Sequence, residues 1–230
     1  MITCSVCGNV NDDLAVLCNQ CKSYVQAKVD NLNLFETVWG LIESPRATFK
    51  RIVLSQHKNY IILLSSLQGV SLLYTVYWYK NMGDSFSNVF TLLLSGFLLG
   101  PPLGLAFTAL FSMMMLKLSG AMGGKMTLKN AFAIASYSSV PLVVSLVFVV
   151  PVEVAVFGIY FFSNNPPPII LRPVIYVCLV GLGVVAFGWS WLLLIEGTIV
   201  GNGFTRSKAF LLTIIAVGLT GVAALILFFV

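Results

Sequence analysis

The sequence predicts an all-α membrane protein: a bundle of about five transmembrane helices, preceded by an amphipathic juxtamembrane segment and a small N-terminal ribbon carrying four cysteines. Three observations predict it. Apolar residues make up 58% of the chain, while Asp, Glu, Lys and Arg make up only 9%, against roughly 25% in water-soluble domains. With so few charges and a mean hydropathy of +0.95, most of the exterior must face lipid. The apolar residues also gather into runs of about 20 or more, the length that crosses a hydrocarbon core as a helix. Finally, four of the five cysteines stand within the first 21 residues.

Those four form two C-x2-C pairs, Cys4-Ser5-Val6-Cys7 and Cys18-Asn19-Gln20-Cys21, separated by ten residues. Each pair can fold into a knuckle whose two thiolates grip one face of a tetrahedral ion, and two knuckles complete a Cys4 site. Gly8 follows the first knuckle, where a tight turn needs a permissive residue. Two disulfides, a redox CxxC pair or an iron site of rubredoxin type would use the same residues. The charge pattern described below puts the segment in the reducing cytoplasm, where thiolates bind metal instead of pairing. The expectation is structural zinc on Cys4, Cys7, Cys18 and Cys21, in a ribbon spanning 1–27. Closed coordination leaves no position for a substrate, so the metal's task is to fold a segment too short to build its own core. The N-terminus lacks the basic and apolar regions of a secretory signal, so no cleavage is expected. Cys178, inside a later apolar run, reads as a small packed residue.

Residues 28–58 form the juxtamembrane segment. Leu34, Phe35, Val38, Trp39, Leu41 and Ile42 recur at helical spacing, which predicts an amphipathic helix lying on the membrane. Ser44-Pro45 reads as an N-cap with proline at the first helical position, opening a second short helix to about Ser55. On that helix Arg46 and Lys50 share a face, with Arg51 and Lys58 nearby, while Phe49, Ile52 and Val53 turn toward lipid or protein. The four cations are candidates for holding anionic headgroups, or serve only to anchor topology.

The membrane domain occupies 59–230. A first span covers 59–79 and ends in Tyr77, Trp78 and Tyr79, an aromatic cluster of the kind found at membrane interfaces. A second covers 89–116, with Gly100-Pro101-Pro102 predicting a kink because each proline removes a backbone donor. The stretch 131–162 contains Pro141, Pro151 and Glu153 and reads as one bent crossing. The loop at Asn164-Asn165-Pro166-Pro167-Pro168 cannot continue a helix. Spans over 174–196 and 208–230 complete the set.

Orientation follows from the cations. Lys22, Lys28, Arg46, Lys50, Arg51, Lys58, Lys117, Lys125, Lys129, Arg206 and Lys208 all fall on one side, and only Lys80 and Arg172 on the other. This asymmetry predicts a cytoplasmic N-terminus, and an odd number of spans then places the C-terminus outside. The net charge of +5 is spread along segment boundaries and not interleaved with aromatics, so nucleic acid is not expected as a partner.

Within the spans, Gly96, Gly100 and Gly104 repeat every four residues, a flat strip suited to close helix packing or, with Pro101 and Pro102, to a hinge. Glu153 and Glu196 are the ionisable residues of the spans and hence candidate functional carboxylates, or interfacial ones. His57, the only histidine, has no partner motif. No HExxH, GxSxG or Walker pattern is present, which argues against an enzyme.

Several stretches carry a resemblance. They are Leu34 to Val53 with Pro45, Thr48 and Phe49; Gly124 followed by Leu128 and Ala131; Tyr137-Ser138-Ser139-Val140-Pro141; and Trp189 to Glu196 followed by Gly203, Phe204, Thr205, Arg206 and Ala209. In this order they resemble the Yip domain family, multi-spanning membrane proteins named for interaction with Rab-type GTPases and common in prokaryotes. The resemblance covers 34–230 and implies a five-helix fold with a non-enzymatic role in membrane organisation, trafficking or support of another complex. The Cys4 segment resembles zinc ribbons fused to many prokaryotic membrane proteins, with Lys22 where such ribbons often have a second glycine. The expected function is therefore a scaffold or accessory protein of a prokaryotic plasma membrane. Its ribbon would dock a partner such as a transporter complex, and a homo-oligomer is open. Two alternatives are a small transporter or channel using the Gly100-Pro101-Pro102 break and Glu153, and a lipid-binding or membrane-shaping protein.

Overall fold

A computed structural model describes residues 1–26 and 31–229, and side chains as far as Val222. The expected boundary at 27/28, including Lys28, and the final Val230 lie outside the described residues. In the ribbon, β1 (Ile2–Thr3) pairs antiparallel with β2 (Val10–Asn11), and Leu17 bridges Tyr24. Two short helices follow, α1 (Leu34–Glu43) and α2 (Pro45–Leu54). Asn33 caps α1, its side chain accepting from the Glu36 amide. Ser44 stands at the N-cap of α2 with Pro45 next, but it contributes its carbonyl, which accepts from the Thr48 amide and hydroxyl at 3.0 Å each.

The apolar spacing in α1 resolves into two faces. Phe35, Trp39 and Ile42 point outward, whereas Thr37 and Leu41 are buried against the rest of the protein. Helix α2 is part of the bundle, because Phe49 and Ile52 are fully buried. A side chain at Gly197 would strike the Phe49 ring and Ile134, so the glycine makes the slot that Phe49 fills.

The long helices are α3 (Ile61–Tyr79), α4 (Val89–Ala121), α5 (Leu128–Ser138), α6 (Val140–Phe157), a single turn α7 (Pro168–Leu171), α8 (Pro173–Asn202) and α9 (Arg206–Phe229). The chain is an all-α membrane protein. Four segments of the described residues are long and apolar enough to cross a bilayer: 61–79, 89–121, 128–162 and 173–202. Helix α9 is 24 residues long, and its last side chains lie outside the described residues.

Two helices outrun their hydropathy, because backbone signals end them. Helix α4 continues past 116 to a turn at Gly123 (φ +77°), and α8 continues past 196 to Gly203 (φ +70°), whose amide donates to the Ile199 carbonyl. Helix α4 is continuous through Gly100-Pro101-Pro102, so a kink there would bend the helix without interrupting it. The fixed φ of the prolines is helical, and in an apolar setting the remaining backbone groups have no better partner than the helix itself. A break falls between α5 and α6, at Ser139.

The glycine strip of α4 is occupied within the chain. Gly100 and Gly104 lie against α3 so closely that a Cβ on Gly69 would stand 2.1 Å from the Gly100 oxygen, and one on Gly96 would enter the Tyr74 ring. Two core regions result. Phe49, Ile52, Met115, Ile134, Tyr137 and Leu212 pack in the half nearer the ribbon. Val70, Tyr74, Tyr77, Leu92, Phe157 and Phe162 pack in the far half, where Asp84 ties two loops by accepting from the Ser163 hydroxyl and the Asn164 amide.

Candidate metal centre

The ribbon brings its two knuckles face to face. In each, the residue after the second cysteine donates its amide to the carbonyl of the first: Gly8 to Cys4 at 2.9 Å and Lys22 to Cys18 at 3.1 Å. Both residues have positive φ, +72° for Gly8 and +60° for Lys22. This turn places all four Sγ atoms within 4.8 Å of one another, with Cys4 to Cys21 and Cys7 to Cys18 both at 3.6 Å. The four thiols are free, and 3.6 Å is far beyond the roughly 2.05 Å of a disulfide. Four sulfurs each about 2.3 Å from a central zinc would be about 3.8 Å apart, so the donor set fits a tetrahedral ion.

Polar groups favour the thiolate at Cys18 and Cys4, whereas at Cys7 the Asn9 backbone lowers the pKa but burial and the neighbouring thiols outweigh it and push it up to about 12. The Cys21 and Gln20 amides direct hydrogen bonds to Cys18 and lower its pKa to about 6. Ser23 lies 3.1 Å from Cys4 Sγ and 2.9 Å from Cys21 Sγ, and it is the main cause of a lowered Cys4 pKa. Asn11 is buried, donates to Cys18 Sγ and to the Asn9 carbonyl, and accepts from the Asn19 amide. Asn11 and Ser23 were not singled out by cysteine spacing. A polar residue two to four places from a knuckle is too common a signal to stand alone.

Lys22 marks a removable strain. A non-glycine residue in the left-handed region costs about 1–2 kcal/mol. Lys22→Gly is therefore expected to stabilise the ribbon and to tighten metal binding about tenfold, read by competition with a chromophoric chelator. An unchanged or weaker affinity would contradict this account of the second knuckle.

The ribbon is clamped to the bundle. The Lys125 ammonium, between α4 and α5, pairs with Asp12 at 2.9 Å and Leu14 packs on the core, while within the ribbon itself the N-terminal amine pairs with Asp13 at 2.9 Å. Each carboxyl is held below its ordinary pKa by that partner. Between ribbon and bundle lies a cleft of about 1220 Å³ that Arg46, Lys50, Lys125 and Lys208 line.

The other expected residues disperse. Arg46 is exposed and Lys50 half-buried, neither with an ion-pair partner among the described residues. Arg51 is engaged by Glu36 at 2.6 Å. Lys58 departs from the expected headgroup cluster: it is 8% exposed, and its ammonium donates to the carbonyls of Ile52, Val53 and Ser55 at 2.6, 3.0 and 3.2 Å. It closes the end of α2, so its three protons are committed. Burial and then the Lys129 charge push its pKa down to about 8, while the three carbonyls favour the protonated form. At neutral pH the ammonium is the species present.

Glu196 pairs with Arg206 at 3.3 Å where α8 hands over to α9. Glu153 is buried in α6, with no hydrogen-bond partner among the described residues, and lines neither the ribbon cleft nor the groove lined by Gln68, Thr108 and Trp191. His57 is exposed, and so is Cys178, which faces outward from α8 instead of packing.

The residues that carried the family resemblance converge on packing. Thr48, Phe49, Ala131, Tyr137, Ser138, Ser139 and Ala209 are buried. A Cβ on Gly124 would strike Ser119, Asn202 and the Phe204 ring, the group that joins the ribbon-side ends of α4, α8 and α9. The Yip1 domain family matches residues 39–228. No curated protein and no solved structure matches the chain.

Proposed function

The chain belongs to the Yip1 domain family, and on that premise we propose that it is a non-enzymatic scaffold or accessory protein of a membrane complex. In this reading the ribbon holds structural zinc, faces the cytoplasm of a prokaryotic cell and docks a partner, and the C-terminus ends outside after a fifth span. The observation that carries it is the ribbon's surface. Clamped to the bundle by Asp12 and Leu14, the ribbon still exposes Val6 (72%), Leu17 (45%) and Tyr24 (67%). Exposed apolar side chains held on a rigid module suit a protein partner. Closed coordination and the lack of a catalytic motif favour docking over chemistry.

A second reading draws on the cleft. Arg46, Lys50, Lys125 and Lys208 line it and outnumber Asp12 and Asp13 on the same wall, a cationic excess that suits an anionic headgroup. One experiment addresses both: gentle extraction from native membranes followed by mass spectrometry of the intact assemblies. With Val6→Asp and Tyr24→Ala, the protein partner is expected to be lost and anionic lipid kept. With Arg46→Glu and Lys50→Glu the reverse is expected. A partner retained by the first variant would sink the docking role, and lipid retained by the second would remove the headgroup site. Transport by the Gly100-Pro101-Pro102 break has less support, since α4 is unbroken and Ser65, Thr108, Ser112 and Ser136 are fully packed along the interior.

A further inference from the structure

The cleft between ribbon and bundle gathers cations from three separate parts of the chain. Arg46 and Lys50 stand four residues apart on one face of α2, Lys125 lies between α4 and α5, and Lys208 belongs to the first turn of α9. The acids on the same wall, Asp12 and Asp13, both come from the ribbon. Asp12 is met by Lys125 and Asp13 by the N-terminal amine, each at 2.9 Å. The N-terminal amine, and beyond it Lys50, hold the Asp13 carboxyl below its ordinary pKa, so the α2 cations and the ribbon acids feel one another across the cleft. Arg46 and Lys208 have no ion-pair partner among the described residues, and the Lys208 ammonium stands 5.9 Å over the ring of Phe204, another residue of the cleft. Both cations occupy first helical turns that hold no acidic residue, where the helix dipole disfavours positive charge. An anion beside them offsets that cost. The cleft also lies where α4 and α8 end and α9 begins, and Met122, Val200 and Phe204 put apolar surface next to the charges.

Charge balance defines the ligand. Four side-chain cations face two carboxylates, an excess of two. A phosphomonoester carries about −1.5 to −2 at pH 7 and answers that excess, whereas a phosphodiester carries a single charge and leaves half of it unanswered. The terminal oxygens of a phosphomonoester also accept the paired N–H groups of an arginine such as Arg46. Resting on the headgroup reading above, we propose that the cleft selects a phosphomonoester, carried by a lipid or free in solution, and that Asp12 and Asp13 set its affinity by opposing it from the ribbon wall.

The test uses the full-length protein in phosphatidylcholine nanodiscs doped with phosphatidic acid, a phosphomonoester, or with phosphatidylglycerol, a phosphodiester, on the same acyl chains. Native mass spectrometry counts the anionic lipid that stays bound. Phosphatidic acid is expected to be held about fivefold more tightly, the worth of one further charge at a basic surface. Glycerol 3-phosphate, titrated into undoped nanodiscs and followed by calorimetry, probes the free source. Arg46→Gln with Lys50→Gln should weaken the preferred probe about 25-fold, two such charges. Asp12→Asn with Asp13→Asn should strengthen it several-fold, a gain that misfolding cannot produce. Saturable binding of glycerol 3-phosphate without enrichment of phosphatidic acid supports the proposal with a free ligand and removes the headgroup reading alone. Equal retention of the two lipids keeps the headgroup reading and overturns the selectivity. Retention of no probe overturns both. Unchanged or weaker binding in the aspartate variant overturns the role given to Asp12 and Asp13.

Discussion

Removing the metal with a strong chelator, or replacing Cys18 with serine, is expected to unfold residues 1–26 and leave the helices standing. Only Cys4, Asn11 and Cys18 are buried in that segment, and its regular structure amounts to two strands of two residues. Two of the three buried residues are cysteines of the candidate metal site and the third hydrogen-bonds one of them, so the segment has no apolar core to fall back on. Zinc contributes about 10–16 kcal/mol to folding comparable fingers, far more than the rest of such a ribbon can supply. The exposed Asp12–Lys125 pair adds about 0–1 kcal/mol and cannot substitute. Metal analysis should find one zinc per chain before treatment and none after. Limited proteolysis should then cut before residue 27, with far-UV circular dichroism almost unchanged. A metal-free ribbon that stays protected from protease would contradict the assignment.

Gly69→Leu is expected to disrupt the pairing of α3 and α4 and to be the most damaging single change in the membrane domain. Even a Cβ on Gly69 meets the Gly100 oxygen at 2.1 Å, the Gly104 Cα at 2.4 Å and the Gly104 nitrogen at 2.5 Å. These are backbone atoms, so no rotamer relieves the clash and the helices must separate. Overpacking of this kind costs about 1–3 kcal/mol or more. In lipid no hydrophobic force pulls separated helices back together, because the close van der Waals contact that small residues permit is itself the attraction. Unfolding in detergent, followed by tryptophan emission, should shift to lower denaturant or temperature. Gly181→Ala is the control: nothing lies within 4 Å of its Cβ position, and helix interiors gain about 0.5–1 kcal/mol from such a change. Similar behaviour of the two variants would remove the glycine strip as the basis of the pairing. Because α3 occupies Gly96, Gly100 and Gly104, that strip is not free to join a second copy of the chain.

Legibility tracks how local each signal is. The cysteine quartet was readable because a knuckle closes within four residues, whereas Asn11 and Ser23 take meaning only once the fold brings them to the sulfurs. Lys58 reads as one more basic residue at a membrane boundary. Its commitment to three carbonyls depends on the chain reversing after Leu54. Adjacent prolines remove backbone donors, yet α4 stays one helix through them because its apolar surroundings leave no alternative partner for its backbone. The serines at 138 and 190 look alike to a sequence reader, and only the convergence of helices separates them from satisfied hydroxyls such as Ser139.

What the sequence by itself determined is the solvent of each segment and the chemistry of the ribbon: apolar runs long enough for lipid, and four thiols at knuckle spacing. Both depend on composition and on contacts a few residues apart, which hold whatever the rest of the chain does. The tertiary structure alone decided which face of each helix is filled. It set Phe49 into the Gly197 slot, closed the glycine strip with α3, and left Ser138, Ser190 and Trp191 with buried polar atoms unpaired among the described residues. Inside a membrane, hydrophobicity is equal on all sides of a helix, so partner choice rests on shape and hydrogen bonding between residues distant in sequence, and no local pattern records it.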